Sequence, residues 1–216
     1  MDLILTLHLS MPFLQKSSWL LFAFLSIAIG IYPILYFVFG RQFGVLNAHD
    51  PEQLTNLFWN IAFYTHITLG GLALAVGWVQ FNQKLRDRNR KLHKRIGMIY
   101  VTAVFFSGLA GVYVAIYTLG GIIASMGFAL LGITWLITTL MGWKTAKAKD
   151  FVSHENWMIY SYAACFAAVT LRIYLPFLEN IMGGFIPAYQ IVAWLCWVPN
   201  MAVAFWLVRK NQPSSQ

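Results

Sequence analysis

Charge is what this sequence lacks. Asp, Glu, Lys and Arg supply 10% of its 216 residues, where ordinary soluble domains carry roughly 25%. The deficit excludes a disordered chain and argues against a soluble enzyme. It is also local: no charged residue occurs in 17–40, 57–81, 96–143 or 180–208, and 156–178 holds only Arg172. Cysteine is almost missing as well. Cys165 and Cys196 fall in different apolar runs, which gives no disulfide framework and leaves them as small buried side chains. The chain has no dinucleotide-binding glycine loop, no nucleotide-binding lysine motif and no nucleophile elbow. Nor does it contain a His-x-x-His, Cys-x-x-Cys or Glu-x-x-His run, so neither an NAD- or ATP-driven mechanism nor a metal site of familiar spacing is indicated.

What fills the gaps is apolar. About 20 such residues, rising 1.5 Å each as a helix, cross a bilayer core of roughly 30 Å. The uncharged stretch 96–143 would make about 72 Å of helix, too long for one crossing, and Gly120-Gly121 marks the turn that divides it. Six spans are expected, at about 18–40, 57–81, 96–118, 122–143, 156–178 and 186–208. Continuous apolar runs of this length do not suit the alternating strands of a barrel, and only helices otherwise satisfy their own backbone in lipid. The expected fold is all-α: a six-transmembrane-helix bundle forming a single integral membrane domain over 1–216.

The few charges report orientation. Fifteen Lys and Arg against seven Asp and Glu leave a net charge of +8. Lys84, Arg86, Arg88, Arg90, Lys91, Lys94 and Arg95 crowd the link between spans two and three. Lys144, Lys147 and Lys149 follow span four, and Arg209 and Lys210 follow span six. The positive-inside rule then places both termini in the cytoplasm. The lipid bilayer is the expected partner, with an anionic-lipid contact compatible with the 84–95 cluster and no nucleic acid required. The opening residues, MDLILTLHLSMPFLQK, read as an interfacial arm rather than a signal peptide. At the span ends, Asp50-Pro51 is expected to start helix two and Ser153 to cap helix five. Pro33, Pro176 and Pro199 are expected to kink helices one, five and six.

Small residues mark packing faces. His66, Gly70, Ala73 and Gly77 form one stripe on helix two; Ala103, Ser107, Gly111 and Ala115 form another on helix three. Packing accounts for the glycines and alanines but not for the histidine. His66 sits nine residues, about 13.5 Å, from the end of its span, so it should face the interior as a structural hydrogen-bonding group, an axial ligand for haem or a metal, or a proton relay. Arg172 is at a similar depth and either snorkels outward or turns inward to pair with Glu179, a cofactor carboxylate or a substrate. His93 and His154 start helices three and five on the cytoplasmic side, where interfacial hydrogen bonding and iron ligation are both open. Tyr100 and Tyr162 could approach an interior cavity or be ordinary packing.

Three segments together carry a resemblance: Leu92-His93-Lys94-Arg95-Ile96-Gly97-Met98-Ile99-Tyr100, His154-Glu155-Asn156-Trp157-Met158-Ile159-Tyr160-Ser161-Tyr162, and Arg172-Ile173-Tyr174-Leu175-Pro176. With His66, they resemble the bacterial membrane-protein family called domain of unknown function 2306, although Tyr160 stands where that family often has Arg. The resemblance implies a membrane fold, in the bacterial cytoplasmic (inner) membrane, and no particular reaction. A looser resemblance is to diheme b-type membrane cytochromes, which clamp haem between histidines of neighbouring helices. Two such haems need four ligands; here His93 and His154 serve the inner half, His66 alone lies in the outer half, His49 is in a link and His8 is on the arm. The leading expectation is therefore a membrane redox protein, with haem as the candidate cofactor at His93 and His154, His66 and Arg172 shaping an outer pocket, and a membrane redox partner. A small-solute or proton-coupled transporter using His66 and Arg172 is the second reading, and a non-catalytic partner or assembly factor of a membrane complex the third. A transporter should show a vestibule and discontinuous helices; a haem protein needs room for a flat macrocycle.

Overall fold

The computed structural model describes residues 2–211, with side chains from 16 to 210. Every regular element among the described residues is helical. Six stretches are long and apolar enough to cross a membrane: Lys16–Ala48, Leu57–Phe81, Arg90–Ile116, Gly121–Lys147, Phe151–Met182 and Phe185–Lys210. They are numbered here as spans one to six. An even number of crossings puts both termini on one face, together with the 82–95 link; this is the basic face. The segment before residue 16, expected as an arm, continues the backbone of the first helix, Asp2–Ile31. Its side chains, His8 among them, lie outside the described residues.

Asx residues set where helices begin, by accepting the free amide hydrogens of a first turn. Asn56 accepts from the Trp59 amide at 3.1 Å, Asn82 from Leu85 at 3.1 Å and Asn89 from Leu92 at 3.0 Å. Two sequence expectations shift by this rule. Asp50-Pro51 starts only the short helix Pro51–Thr55, with no side-chain cap bond, and span two begins anew after Asn56. Span five is capped by Asp150, which accepts from the Ser153 amide at 3.0 Å, so Ser153 is already inside the helix. The Ser153 side chain and amide hold the Asp150 carboxyl below its ordinary value. That cap is complete above the unfolded carboxylate pKa, about 4, and is lost as pH falls through the lower folded value. Gly120 and Gly121, with φ of 89° and 65°, turn span three into span four in a conformation that a side chain would strain.

The link 41–56 is a lid rather than an open loop. Leu46 and Leu54 are buried against Tyr36, Trp59 and Phe63, and His49 meets the Trp59 ring edge-on at 5.0 Å. Burial there lowers the affinity of the His49 imidazole for a proton.

Three spans are interrupted. Span one breaks between Ile31 and Ile34, at Pro33 as expected. Span six breaks at Cys196-Trp197, just before Pro199. Span five breaks at Phe166, and Pro176 lies inside the continuous helix Ala167–Met182. The breaks in spans five and six adjoin, and two side chains cover the freed carbonyls. Thr170 Oγ1 donates to the Cys196 carbonyl, and the Asn200 amide lies 3.0 Å from that same oxygen and 3.3 Å from the Ala163 carbonyl.

Spans two and three, three and four, and four and five pack along their lengths; span six lies on four and five, and span one on two and five. The small-residue stripes permit this. A side chain at Gly77 would meet the Tyr162 and Tyr100 rings at 2.5 and 2.7 Å, and one at Gly111 would meet the His66 ring at 2.6 Å. Large apolar residues such as Phe58, Ile122 and Ile181 are left exposed on the perimeter, where a bilayer covers them.

Candidate functional site

Polar levels are stacked through the bundle. His93, Tyr100 and Ser107 of span three are seven residues apart, and His154 and Ser161 of span five repeat the interval. Seven residues advance about 10.5 Å and complete nearly two turns, so each set keeps one face.

The middle level is a closed circuit. Trp135 Nε1 donates to Tyr100 Oη at 3.4 Å, and Thr139 Oγ1 donates to the Trp135 carbonyl at 2.7 Å. Between these ends, Tyr100 Oη lies 2.8 Å from Ser161 Oγ and Ser161 Oγ lies 2.6 Å from Thr139 Oγ1. The fixed ends give the whole chain a direction: tryptophan to tyrosine, tyrosine to serine, serine to threonine, threonine back to the tryptophan backbone. Every hydroxyl proton is used, which is what a water-free core demands. Beside it, Tyr162 Oη is 2.9 Å from both Ser26 Oγ and the Leu74 carbonyl, joining spans five, one and two. Replacing Ser161 by Ala leaves the Tyr100 hydroxyl without an acceptor and is expected to cost about 1–3 kcal/mol. The Tyr100→Phe/Ser161→Ala pair should cost less than the two single changes summed. Unfolding in detergent measures both, and strict additivity would refute the circuit.

On the opposite-face side, His66 Nδ1 lies 3.0 Å from the Ser107 carbonyl. A carbonyl only accepts, so Nδ1 carries the hydrogen and Nε2 keeps its lone pair. Ser107 Oγ returns a bond to the His66 carbonyl at 2.8 Å, locking spans two and three. Arg172 faces this region from span five. Its Nη1 donates to the Ala168 carbonyl at 2.8 Å, one turn deeper in the membrane, and its guanidinium lies 4.3 Å from the centre of the Tyr32 ring. Tyr36 and Tyr189 are close enough to feel its charge, as is His66. Arg172 therefore does not snorkel. Glu179 does not pair with it either: the ion pairs among the described residues are Arg86–Asp87 and Arg86–Glu155. Among the described residues its Nε is buried without a hydrogen-bond partner.

On the basic-face side, His154 Nδ1 donates to the Gly142 carbonyl at 2.8 Å, again leaving Nε2 free. His93 lies within electrostatic reach of His154 and of Arg86, and Arg86 Nη1 is 3.6 Å from Glu155. Both imidazoles are half-buried. Among the described residues no three His, Cys, Asp or Glu side chains gather as a metal site.

The four residues singled out by sequence thus fall into two pairs, His66 with Arg172 and His93 with His154, at opposite ends of the bundle. Sequence reasoning missed the aromatic surround of Arg172 and the Trp135–Tyr100–Ser161–Thr139 circuit. The seven-residue interval was a readable signal for the circuit; Tyr32, Tyr36 and Tyr189 carry no such pattern. A family model described as "Predicted membrane protein (DUF2306)" matches residues 63–208, which takes in all four residues. No curated protein matches the chain, and no solved structure does.

Proposed function

The chain belongs to the DUF2306 family of predicted membrane proteins, and we propose that within this fold it works as a small proton-coupled transporter of an anionic solute. The observation that carries this reading is Arg172, a cation within the membrane with no carboxylate among the described residues to neutralise it. Such a charge is costly in lipid and is retained where a ligand or pathway needs it. Arg172 would hold the anion beneath the tyrosines, and His66, with Nε2 free, would take the accompanying proton. An anion between them favours the proton, and the proton favours the anion by the same factor. Net charge moved would then be small. The adjoining breaks in spans five and six supply the discontinuous helices that alternating access uses. In a bacterial cytoplasmic membrane with the basic links inside, the site would face the periplasm.

The test is flux in proteoliposomes containing a trapped pH dye, with gradients of permanently charged carboxylates and of inorganic phosphate. Solute-driven acidification is expected in the native protein and absent in folded Arg172→Gln, while His66→Gln binds solute without moving protons. Equal flux in Arg172→Gln, or none with any of these solutes, would reject transport at this site.

A second reading, the redox one, draws on His154. An imidazole whose Nδ1 is fixed by a carbonyl, as in His154, keeps Nε2 available and would hold an iron through it. Among the described residues His93 has no comparable orienting bond, and neither imidazole lines the groove that holds Leu69 and Phe106 or the one that holds Phe22 and Leu207. Haem, if bound there, would supply one-electron chemistry to a membrane redox partner. Reduced-minus-oxidised spectra of the purified protein and of His93→Ala and His154→Ala decide it.

A further inference from the structure

A groove of about 460 Å³ opens on the perimeter between spans one and six, with span five as its floor. It is separate from the Arg172 site. Phe22, Phe81, Ile159, Phe166, Val203 and Leu207 form most of its wall, and its single charged wall residue, Glu155, stands at the basic-face end. Arg86 Nη1 reaches Glu155 at 3.6 Å, which brings the helix Gln83–Arg88 to the mouth.

We propose that this groove holds one acyl chain of an anionic phospholipid from the basic-face leaflet, with the lipid phosphate against Arg86 and the neighbouring basic side chains of the link. Length supports an acyl chain. From Glu155 to Phe166 is eleven residues, about 16.5 Å of helix, and half of a roughly 30 Å hydrocarbon core is one leaflet. Chemistry supports it too. The hydrogen-bond donors in the deep wall are already engaged: Tyr162 Oη with Ser26 and Leu74, and the Asn200 Nδ2 group with Ala163, Thr170 and Cys196. No donor is left there for an anionic or acceptor-rich occupant, and the wall is otherwise apolar, which suits a hydrocarbon chain. The sign of the headgroup follows from the mouth. Lys84, Arg86, Arg88, Arg90 and Lys91 lie in or beside the docked helix, against Asp87 and Glu155, and such a surplus at the headgroup plane selects anionic lipid. The Arg86–Glu155 contact, with both side chains partly exposed at 39% and 48%, holds the guanidinium where a phosphate can share it.

The experiment uses the full chain in detergent, titrated with phosphatidylglycerol, phosphatidylcholine or phosphatidylethanolamine, and reads lipid retention by native mass spectrometry together with the midpoint of thermal unfolding. One phosphatidylglycerol per chain should be retained and should raise the midpoint, the other two lipids leaving it unchanged. Val203→Trp fills the groove from an exposed position, and Arg86→Gln removes the phosphate partner; each should weaken phosphatidylglycerol by about tenfold. Should Val203→Trp not fold, Leu207→Trp fills the same wall. Equal retention of all three lipids, or undiminished phosphatidylglycerol binding in both the filled-groove and Arg86→Gln variants, would overturn the assignment. Solute flux through the Arg172 site is unaffected by either result.

Discussion

Gly77→Ala will destabilise the bundle although it improves the helix. In an exposed helix the change from Gly to Ala gains about 1 kcal/mol. Position 77 reverses the sign, because a β-carbon there would stand 2.5 Å from the Tyr162 ring and 2.7 Å from the Tyr100 ring. Neither ring can retreat freely. Tyr162 is tied to Ser26 and Leu74, and Tyr100 to Ser161 and Trp135, so moving either one breaks buried hydrogen bonds. Overpacking of this kind costs about 1–3 kcal/mol, and the larger Gly77→Leu should exceed that and prevent assembly of spans two, three and five. Gly97 provides the internal comparison. It lies in the helix Arg90–Ile116, and a β-carbon there meets only the Gln80 side chain at 3.7 Å, an ordinary contact. Gly97→Ala is expected to be neutral or to stabilise by up to about 1 kcal/mol. Reversible unfolding in mixed detergent measures both variants. If the two shift stability alike, close approach at Gly77 is not what holds these spans together.

The same residues show how far a single sequence carries. Six spans were legible because the missing charges define them, but charge-free stretches stop short of helix ends: span three starts at Arg90 rather than near 96, and span five runs Phe151–Met182 rather than 156–178. The caps themselves moved. Ser153 carries the side chain of an N-cap, but Asp150, three residues earlier, accepts its amide; sequence does not say which of two competent residues sits outside the first turn. The break in span five occurs at Phe166, where no residue type announces it. Thr170 and Asn200 make that break tolerable by covering the adjoining carbonyls, and Asn200 belongs to another span. His66 and Arg172 were legible as exceptions, polar groups in otherwise apolar runs. Their similar depth was legible too, and with it a shared outer site; the tyrosines near Arg172, Tyr32 and Tyr36 of span one and Tyr189 of span six, were not. Contacts between distant spans leave no periodic trace in any one of them.

Arg172→Met should make the protein more stable and inactive. Keeping an unneutralised cation out of water costs several kcal/mol. Against that, Arg172 gains a cation–π contact with Tyr32, worth about 0.5–2 kcal/mol, and one hydrogen bond to the Ala168 carbonyl, worth about 1.5–3 kcal/mol for a charged donor. Its Nε has no hydrogen-bond partner among the described residues. A methionine is shorter but apolar and removes the charge; where whole buried ion pairs are exchanged for apolar residues, the gain is about 1–4 kcal/mol. The expected result is a gain near the lower end of that range, because the Tyr32 contact is lost. Arg209→Met is the reference change: that arginine lies exposed at the end of span six over Phe205, and its replacement should stay within about 0.5 kcal/mol. A gain at 172 joined to lost solute binding marks a residue kept for function against its own stability. The opposite outcome is equally definite. Were Arg172→Met to lose more than about 2 kcal/mol, beyond the upper reach of the cation–π contact alone, the guanidinium would be the structural pin for the Tyr32–Tyr36 corner, and the anion site would have to be sought elsewhere in the bundle.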